Sequence, residues 1–378
     1  MKQLSLFTYS GKHLAPFKRS ELEVKEPVAL SLFSGGGGLD LGFSAAGFKV
    51  LCSIDIDPFS CSTLHLNNKK RLFFSHVHSI PTDIKDVTTT VLLNKADLES
   101  SKIDIVLGGP PCQAFSVFGR RQGLNDPRGN LVWEYLRIIR EVKPRAFLFE
   151  NVSGLKSIHD GELYESILKK LSLSGLYAVS AHRYQVAEYG IPQYRDRVFF
   201  IGSIEGIVVP EMEPTHGDGL KPYRTVKEAL RFLPSDWEGN MVPNHIGRKH
   251  SRPIIDRYEA LAFGERDPKT RINKLHPDRP SFTIIVGSDK GGGKGHVHPY
   301  IPREVTPRES ARMQTFPDWW EFSGTGRHVI RQVGNAVPPL FAAVLAEHIK
   351  KILFGSRKKR SYEKFIEILG LDYLRNDK

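Results

Sequence analysis

Short, mainly apolar runs alternate with amphipathic stretches through the first half of the chain. Such runs are typical of strands buried on both faces, and they occupy residues 28–33, 50–54, 103–107, 146–149 and 197–202. Helical spacing of apolar residues marks the stretches around Leu41 and Phe43, after Asp57-Pro58, at 131–141 and at 163–173. Alternating strands and helices predict an α/β domain with a doubly wound, mostly parallel sheet.

The pattern changes after residue 203. Prolines, glycines and charged residues become frequent and the periodicity weakens, with one helix predicted near 254–263. An apolar helical pattern resumes near 331, and a chain of 378 residues is longer than one core usually serves. We therefore expect an N-terminal extension (1–26), a main domain (27–204), a smaller irregular domain (205–322) and a return to the main domain with a basic tail (323–378).

Charge and cysteine content narrow the class of protein. A formal charge of +12 and a pI of about 9.5 favour a polyanionic partner, although the same charge also serves solubility. The three cysteines, Cys52, Cys61 and Cys112, are too few for a disulfide framework, and an odd number cannot all be paired. No secretory signal and no apolar stretch of membrane-spanning length is evident. A reducing, cytoplasmic setting is therefore expected.

A glycine-rich turn, residues 33–42, follows the first strand and precedes a helix. Its spacing does not match the dinucleotide pattern G-x-G-x-x-G, and it lacks the G-K-[ST] of a phosphate loop. Asp40 would repel a pyrophosphate but would tolerate an ammonium group, and Asp55 ends the next strand where it can accept hydrogen bonds from two ribose hydroxyls. The turn therefore predicts S-adenosylmethionine as the ligand. The alternative is a tight strand–helix turn with an exposed aspartate.

A second loop, residues 109–116, places Cys112 behind two prolines at the end of the 103–107 strand. Open α/β sheets carry their chemistry at this edge, and prolines restrict the loop's φ angles. Cys112 is thus a candidate nucleophile, whereas Cys52 and Cys61 fall within a predicted strand and helix and favour packing roles.

Six sequence blocks, taken in order, resemble the DNA (cytosine-5)-methyltransferases of bacterial type II restriction–modification systems. They are FSGGGG at 33–38, GPPCQ at 109–113, ENV at 150–152, QYRDR at 193–197, RESARMQ at 308–314 with FPD at 316–318, and QVGNAVPP at 332–339. The resemblance lapses at about 205–275, where such enzymes carry a variable target-recognition region. It implies a Rossmann-like, S-adenosylmethionine-dependent methyltransferase domain, with 205–322 as the target-recognition domain.

The resemblance also assigns roles to residues of the site. Cys112 would add to cytosine C6, Glu150 would contact N3 and the exocyclic amine, and Arg197 would contact O2 and orient the carboxyl. Arg195 would support the catalytic loop or a phosphate. The cofactor would be held by Phe33, Ser34, Gly35, Gly37, Gly38, Asp55, Ile56, Asp83, Ile84, Pro110, Asn335, Ala336 and Val337.

Double-stranded DNA is the expected partner, with the target cytosine rotated out of the helix. The expected DNA contacts are Gln113, Ser116, Phe118, Arg120, Arg121, Arg248, Lys249, Arg252, Lys290 and Lys294, and further basic candidates are Arg271 and Lys274. Five histidines between 245 and 298 lack zinc-ligand spacing, so no metal is expected. We expect a monomer that protects host DNA from a cognate endonuclease without forming a stable complex with it.

Two other classes of protein share some of these features. A non-catalytic DNA-binding relative would have no need of an intact Cys112, Glu150 and Arg197. A nicotinamide-dependent oxidoreductase with a reactive cysteine is disfavoured by the glycine spacing.

Overall fold

A computed structural model describes residues 26–74, 77–95, 97, 103–110, 130–152, 162–235, 238, 241–286, 295–356 and 360–375. Within these residues one seven-stranded sheet has the strand order β3-β2-β1-β4-β5-β7-β6. Its strands are β1 (Val28–Leu32), β2 (Lys49–Asp55), β3 (His78–Pro81), β4 (Ile105–Gly108), β5 (Ala146–Val152), β6 (Ala178–Gln185) and β7 (Asp196–Ser203). Only β7 runs antiparallel to its neighbours β5 and β6 in this sheet.

Helices cover both faces of the sheet. They are α1 (Gly38–Ala45), α2 (Pro58–Asn67), α3 (Thr89–Lys95), α4 (Asn130–Val142), α5 (Glu162–Leu171), α6 (Val226–Ala229), α7 (Arg252–Ala260), α8 (Pro307–Met313), α9 (Gly326–Asn335), α10 (Pro339–Leu353) and α11 (Tyr362–Leu369). Short 3₁₀ turns lie at Ile84–Asp86, Val186–Tyr189 and Asp372–Leu374. The predicted doubly wound α/β fold is confirmed.

Successive residues of the central strands enter two separate cores. Ala29 packs with α1, α9, α10 and α11 on one face, whereas Leu30 packs with α3, α4 and α5 on the other. In β4, Val106 and Leu107 divide between the two cores in the same way. Burial on both faces is why these strands are continuous apolar runs in the sequence.

The hydrophobic pattern of the sequence does not predict the two edge strands, β3 and β6. β3 contains His78 and Ser79, and β6 contains Ser180, His182 and Arg183, so neither has an uninterrupted apolar run. An edge strand pairs on one side only and is less enclosed, which allows polar residues along it. The signal that identified the central strands is therefore absent from the edges.

The C-terminal helices pack in the first core. A Cβ built on Gly42 of α1 would lie 2.4 Å from the Cβ of Ala342, so α1 and α10 are in direct contact. Trp320 and Phe322 are buried in the same core, which thus continues across the boundary expected at residue 322. The helical stretch 326–353 is apolar enough to span a membrane, but it is mostly buried and has Pro338 between α9 and α10.

A small third core lies within the irregular region. Tyr258 and Leu261 pack there with Ile272 and Val297. Part of the basic tail contacts the main domain. Arg360 donates a 2.8 Å hydrogen bond to the carbonyl of Ala46, at the C-terminal end of α1.

Candidate active site

The carboxyl ends of β1 and β4 meet at the switch point of the sheet. The chain leaves β1 toward α1 on one face, and α4, which follows β4, lies on the other face. This divergence opens a crevice at the strand ends, where ligands bind in doubly wound folds. The glycine turn borders the crevice on one side and Gly109-Pro110 on the other.

The glycine turn begins with unusual backbone geometry. Phe33, directly after β1, has φ +56°, and Gly35 has φ +52°. A non-glycine residue in the left-handed region is strained, at a cost of about 1–3 kcal/mol, and such strain concentrates at functional sites. The amide of Gly35 donates to Asp55 Oδ2 at 2.8 Å, so the turn is tied to the end of β2.

Different glycines of the turn face different surroundings. A Cβ on Gly35 would meet no atom within 4 Å, so this residue faces open space. A Cβ on Gly37 would lie 2.9 Å from the Trp320 ring, and one on Gly38 would lie 2.1 Å from the carbonyl oxygen of Val337. Gly37 and Gly38 are thus required for contact between protein segments. The contact at Gly38 also brings Ala336 and Val337, which follow Asn335 at the end of α9, against the turn.

The end of β2 supplies a carboxylate and an exposed apolar side chain. Asp55 accepts from the amides of Gly35 and Asp57, and burial raises its pKa despite these bonds. Ile56 is 67% exposed beside it and offers an apolar surface next to the carboxylate. Arg331 of α9 forms a 2.9 Å ion pair with Asp57. No local pattern predicts this contact, because the two residues lie far apart in the sequence.

The neighbouring strand β3 leads to Asp83 and Ile84. Asp83 caps the 3₁₀ turn by accepting from the amide of Lys85. The side chain of Ile84 is only 4% exposed and packs in the second core, so a ligand would meet its backbone. The amide of Thr82 donates to the carbonyl of Asp55, which holds this segment beside the turn.

Asp40 does not lie at the surface, so the alternative of an exposed aspartate is wrong, and so is the expectation that this carboxyl faces the charge of a ligand. Its side chain is fully buried and accepts hydrogen bonds from the hydroxyls of Ser31 in β1 and Ser53 in β2. Burial raises its pKa to about 6. In the sequence, an aspartate in the first turn of a helix looks like a solvated residue near a helix cap. Only the fold shows that the Asp40 side chain points into the protein.

Glu150 and Arg197 form an ion pair at the edge of the crevice. Val152 pairs with Arg197 across β5 and β7, which places Glu150 diagonally opposite on the same face. The distance from Arg197 Nε to Glu150 Oε1 is 2.9 Å, and both side chains are about 85% buried (15% and 12% exposed). Burial raises the pKa of Glu150, and the positive charges of Arg197 and Arg195 oppose that shift.

The Glu150 carboxyl lies directly against the loop that follows β4. A Cβ on Gly109 would come within 2.9 Å of Glu150 Oε2, so a larger residue would displace the carboxylate. The Asn151 side chain donates to the carbonyl of Pro110 at 3.4 Å. Asn151 was seen in the sequence only as part of a block, and the structure gives it a role in anchoring this loop.

Arg195 is 1% exposed, which leaves it no access to a DNA phosphate. Its guanidinium donates to the carbonyls of Ile284 at 3.3 Å and Gly334 at 2.8 Å. These carbonyls belong to the irregular region 205–322 and to the end of α9. Burial is incompatible with the expected phosphate contact of Arg195, and its expected support of the catalytic loop stays a prediction.

The described cysteines have packing roles, as predicted. Cys52 lies in β2 and Cys61 in α2, and burial raises the pKa of both thiols to about 12. Cys112 lies outside the described residues, as do Gln113, Ser116, Phe118, Arg120, Arg121, Lys290 and Lys294.

A sequence model of the C-5 cytosine-specific DNA methylases matches residues 28–351. The chain belongs to this family. The type II methyltransferase M.XorII of Xanthomonas oryzae is 33% identical over 390 residues, covering 91% of this chain and 88% of that protein. M.NgoFVII of Neisseria gonorrhoeae is 35% identical, covering 90% of this chain and 91% of that protein.

Solved structures agree with this assignment. A chain described as a DNA modification methyltransferase encoded within an E. coli prophage superposes with a TM-score of 0.69 at 28% identity, covering 87% of this chain and 99% of that one. The Dnmt2 methyltransferase of S. pombe has a TM-score of 0.61 at 19% identity, covering 86% and 99%, and supports the fold alone. The protein is a DNA cytosine-5 methyltransferase of the type II restriction–modification kind.

The described basic side chains of this methyltransferase differ in how free they are to meet DNA. Arg248, Lys249 and Arg252 have side chains that are 69%, 84% and 78% exposed, each with a carboxylate within 4 Å. Lys274 instead donates to three carbonyls, of residues 258, 259 and 261, at the end of α7. Lys274 therefore stabilises a helix terminus, whereas the three exposed residues can exchange their carboxylates for phosphates.

The block at 308–314 is part of the scaffold of the methyltransferase. Arg308 is fully buried and donates to the carbonyls of Pro243 and Pro317 at 2.8 and 2.9 Å. Arg312 pairs with Asp318.

Among the described residues no cluster of three or more histidines, cysteines or acidic residues is arranged to bind a metal. His245 and His298, for example, are engaged in hydrogen bonds within the protein.

Proposed function

We propose that this enzyme transfers a methyl group from S-adenosylmethionine to C5 of a cytosine flipped out of a short, specific duplex sequence, through a covalent bond between Cys112 and C6. The observation that carries the proposal is the buried Glu150–Arg197 pair against Gly109 and Pro110. The chain reaches Cys112 two residues after Pro110. A nucleophile on this loop would therefore lie close to the carboxyl and the guanidinium.

Covalent activation is needed because cytosine C5 is a weak nucleophile. Addition of the Cys112 thiolate forms an S–C6 bond and makes C5 electron-rich. C5 would gain the methyl group as the donor's S–CH3 bond breaks and S-adenosylhomocysteine leaves. A base then removes the C5 proton, the electron pair of that bond re-forms the C5–C6 double bond and expels the thiolate, and the proton at N3 returns to the carboxyl. The enzyme is then regenerated unchanged.

Glu150 relieves the charge that develops on the ring when the thiolate adds. The adduct needs a hydrogen bond or proton at N3, and a carboxyl can supply it only when its pKa is raised. Burial raises the pKa of Glu150 in that direction. Arg197, held on the same face at 2.9 Å, orients the carboxyl and can donate to the cytosine O2.

The residues of the glycine turn fit S-adenosylmethionine. The open space beside Gly35, the exposed Ile56 and the carboxylate of Asp55 suit a backbone contact, an adenine face and ribose hydroxyls respectively. When bound, this cofactor supplies an electrophilic methyl group on a sulfonium. Phe33, Ser34 and the Asn335–Val337 segment complete the boundary of the site.

Residues 205–322 would form the target-recognition domain and read the DNA sequence. The exposed Arg248, Lys249 and Arg252 support this assignment, and flipping would cost a few kcal/mol of stacking. We further propose a monomeric, cytoplasmic enzyme that protects host DNA from a cognate endonuclease without binding that endonuclease stably.

The covalent step is tested with a duplex that carries 5-fluorocytosine at the target. Bisulfite sequencing of DNA from cells that express the protein first identifies the target cytosine. With S-adenosylmethionine present, wild-type enzyme should form an adduct stable to denaturing electrophoresis, because fluorine cannot leave as the C5 proton does. Cys112→Ser should form none, and Cys61→Ala, which changes a buried thiol, should trap normally. Adduct formation by Cys112→Ser would refute the proposed nucleophile.

A further inference from the structure

One carboxyl near the glycine turn has no part in the proposed contacts with the cofactor. Asp40 lies in the first turn of α1 and is 0% exposed. Its Oδ2 accepts from the Ser31 hydroxyl at 3.0 Å, and its Oδ1 accepts from the Ser53 hydroxyl. Ser31 and Ser53 are directly paired across β1 and β2. A single carboxyl therefore joins two strands and the start of a helix.

Both strands end in the proposed cofactor site two residues later. Ser31 precedes Phe33, the strained first residue of the turn, and Ser53 precedes Asp55. The bond from the Gly35 amide to Asp55 closes the connection between the two strand ends. The spacing between the turn and the ribose carboxylate thus depends on how Asp40 holds the two serines.

Burying the carboxyl of Asp40 costs solvation free energy, and its hydrogen bonds offset that cost. A buried polar group without partners loses several kcal/mol of solvation. Here two hydroxyls donate to the carboxyl, and the N-terminal end of α1 favours negative charge. An apolar residue would avoid the solvation cost but could not bridge Ser31 and Ser53. Only a polar side chain can therefore bridge the two serines.

We propose that Asp40 is a positioning residue for the cofactor, which fixes the Phe33–Gly35 turn relative to Asp55 through Ser31 and Ser53. The inference rests on the proposed S-adenosylmethionine site. It predicts that changes at Asp40 weaken binding of the cofactor and leave the methyl-transfer step, which occurs at the β4 and β5 ends, nearly unchanged.

The titration of Asp40 itself provides a second readout. Burial raises its pKa to about 6, and the nearby charge of Asp55 adds to that shift. The neighbouring thiols of Cys52 and Cys61 stay protonated over this range, because burial raises their pKa to about 12. Below pH 6 the wild-type carboxyl is therefore mostly neutral, as the side chain of Asp40→Asn is at every pH.

The test compares Asp40→Asn, Ser53→Ala and wild type by calorimetric titration with S-adenosylhomocysteine between pH 5 and 8. Asp40→Asn should raise Kd roughly tenfold, as expected for one lost or weakened charged hydrogen bond. Its kcat at saturating S-adenosylmethionine should stay within about twofold of wild type. Wild type should lose affinity as the pH falls through about 6, where Asp40 takes up a proton, and Asp40→Asn should show no such step. Ser53→Ala, which keeps the titrating carboxyl and loses a donor, should keep a pH-dependent step.

Ser180→Ala is the matched control, because Ser180 is an equally buried serine in the edge strand β6. It should bind S-adenosylhomocysteine as wild type does. If Asp40→Asn does not fold, Ser53→Ala still reports the loss of affinity. Wild-type affinity in Asp40→Asn, or the same loss of affinity near pH 6 in Asp40→Asn as in wild type, would overturn the positioning role, as would equal losses in kcat and affinity. Failure of wild type to bind S-adenosylhomocysteine would instead refute the cofactor proposal itself.

Discussion

Replacing Gly38 by alanine tests whether this glycine serves packing between distant segments. A Cβ at Gly38 would lie 2.1 Å from the carbonyl oxygen of Val337 and 3.2 Å from the Cβ of Ala336. Ordinary contacts between such atoms are at least about 3.4 Å, so the Ala336–Val337 segment would have to move by more than about 1 Å. Overpacking of this kind costs about 1–3 kcal/mol, and occasionally more.

The expected loss is larger than the gain from better helix propensity. Alanine stabilises a helix by up to about 1 kcal/mol relative to glycine, so the net change in the free energy of unfolding should be a loss of about 1–2 kcal/mol. Because the displaced segment borders the proposed cofactor site, Gly38→Ala should also weaken binding of S-adenosylhomocysteine. Urea denaturation followed by tryptophan fluorescence, with calorimetric titration, measures both effects.

Gly326→Ala is the matched control for this experiment. Gly326 is likewise the first residue of its helix, and the nearest atom to its Cβ would be Pro307 Cγ at an ordinary 3.7 Å. This variant should be as stable as wild type or slightly more stable. If Gly38→Ala unfolds at the same urea concentration as Gly326→Ala, the assignment of Gly38 to inter-segment packing is refuted.

Two further predictions follow from the burial of titratable groups. Iodoacetamide at pH 8 should modify Cys112 much faster than Cys52 or Cys61, because burial raises the pKa of those two thiols to about 12; peptide mass spectrometry measures the three rates. Burial lowers the pKa of His296 and His298 to about 4. Urea midpoints should therefore fall as the pH falls from about 6.5 toward 4, because the unfolded chain binds protons there that the folded protein excludes.

A specific result would contradict each of these two predictions. Rapid alkylation of Cys61 in native protein would show that this thiol is neither buried nor protonated. The acid effect is opposed by Asp40, whose raised pKa of about 6 contributes stability that is lost as the pH rises through 6. Replacing His296 by glutamine should flatten the loss of stability at acid pH, and an unchanged pH profile would refute its assignment.

Much of the fold and some of the site could be predicted from the sequence. The central strands were identifiable because burial on both faces makes them apolar throughout, and β2 ends at Asp55 in the structure as expected. Glu150, placed at a strand end in the sequence, lies within β5, yet it does border the crevice. Residues at the carboxyl ends of parallel strands converge whatever else surrounds them.

The tertiary structure decided what the individual side chains do. Of the glycines in the turn, Gly35 faces open space while Gly37 and Gly38 contact Trp320 and Val337, far away in the sequence. Asp40 turned out to be buried between two strands, and Arg195 to be held by two carbonyls. Local pattern determines which residues form strands and helices, because that depends on near neighbours along the chain. The direction and partners of each polar side chain depend on segments that only folding brings together.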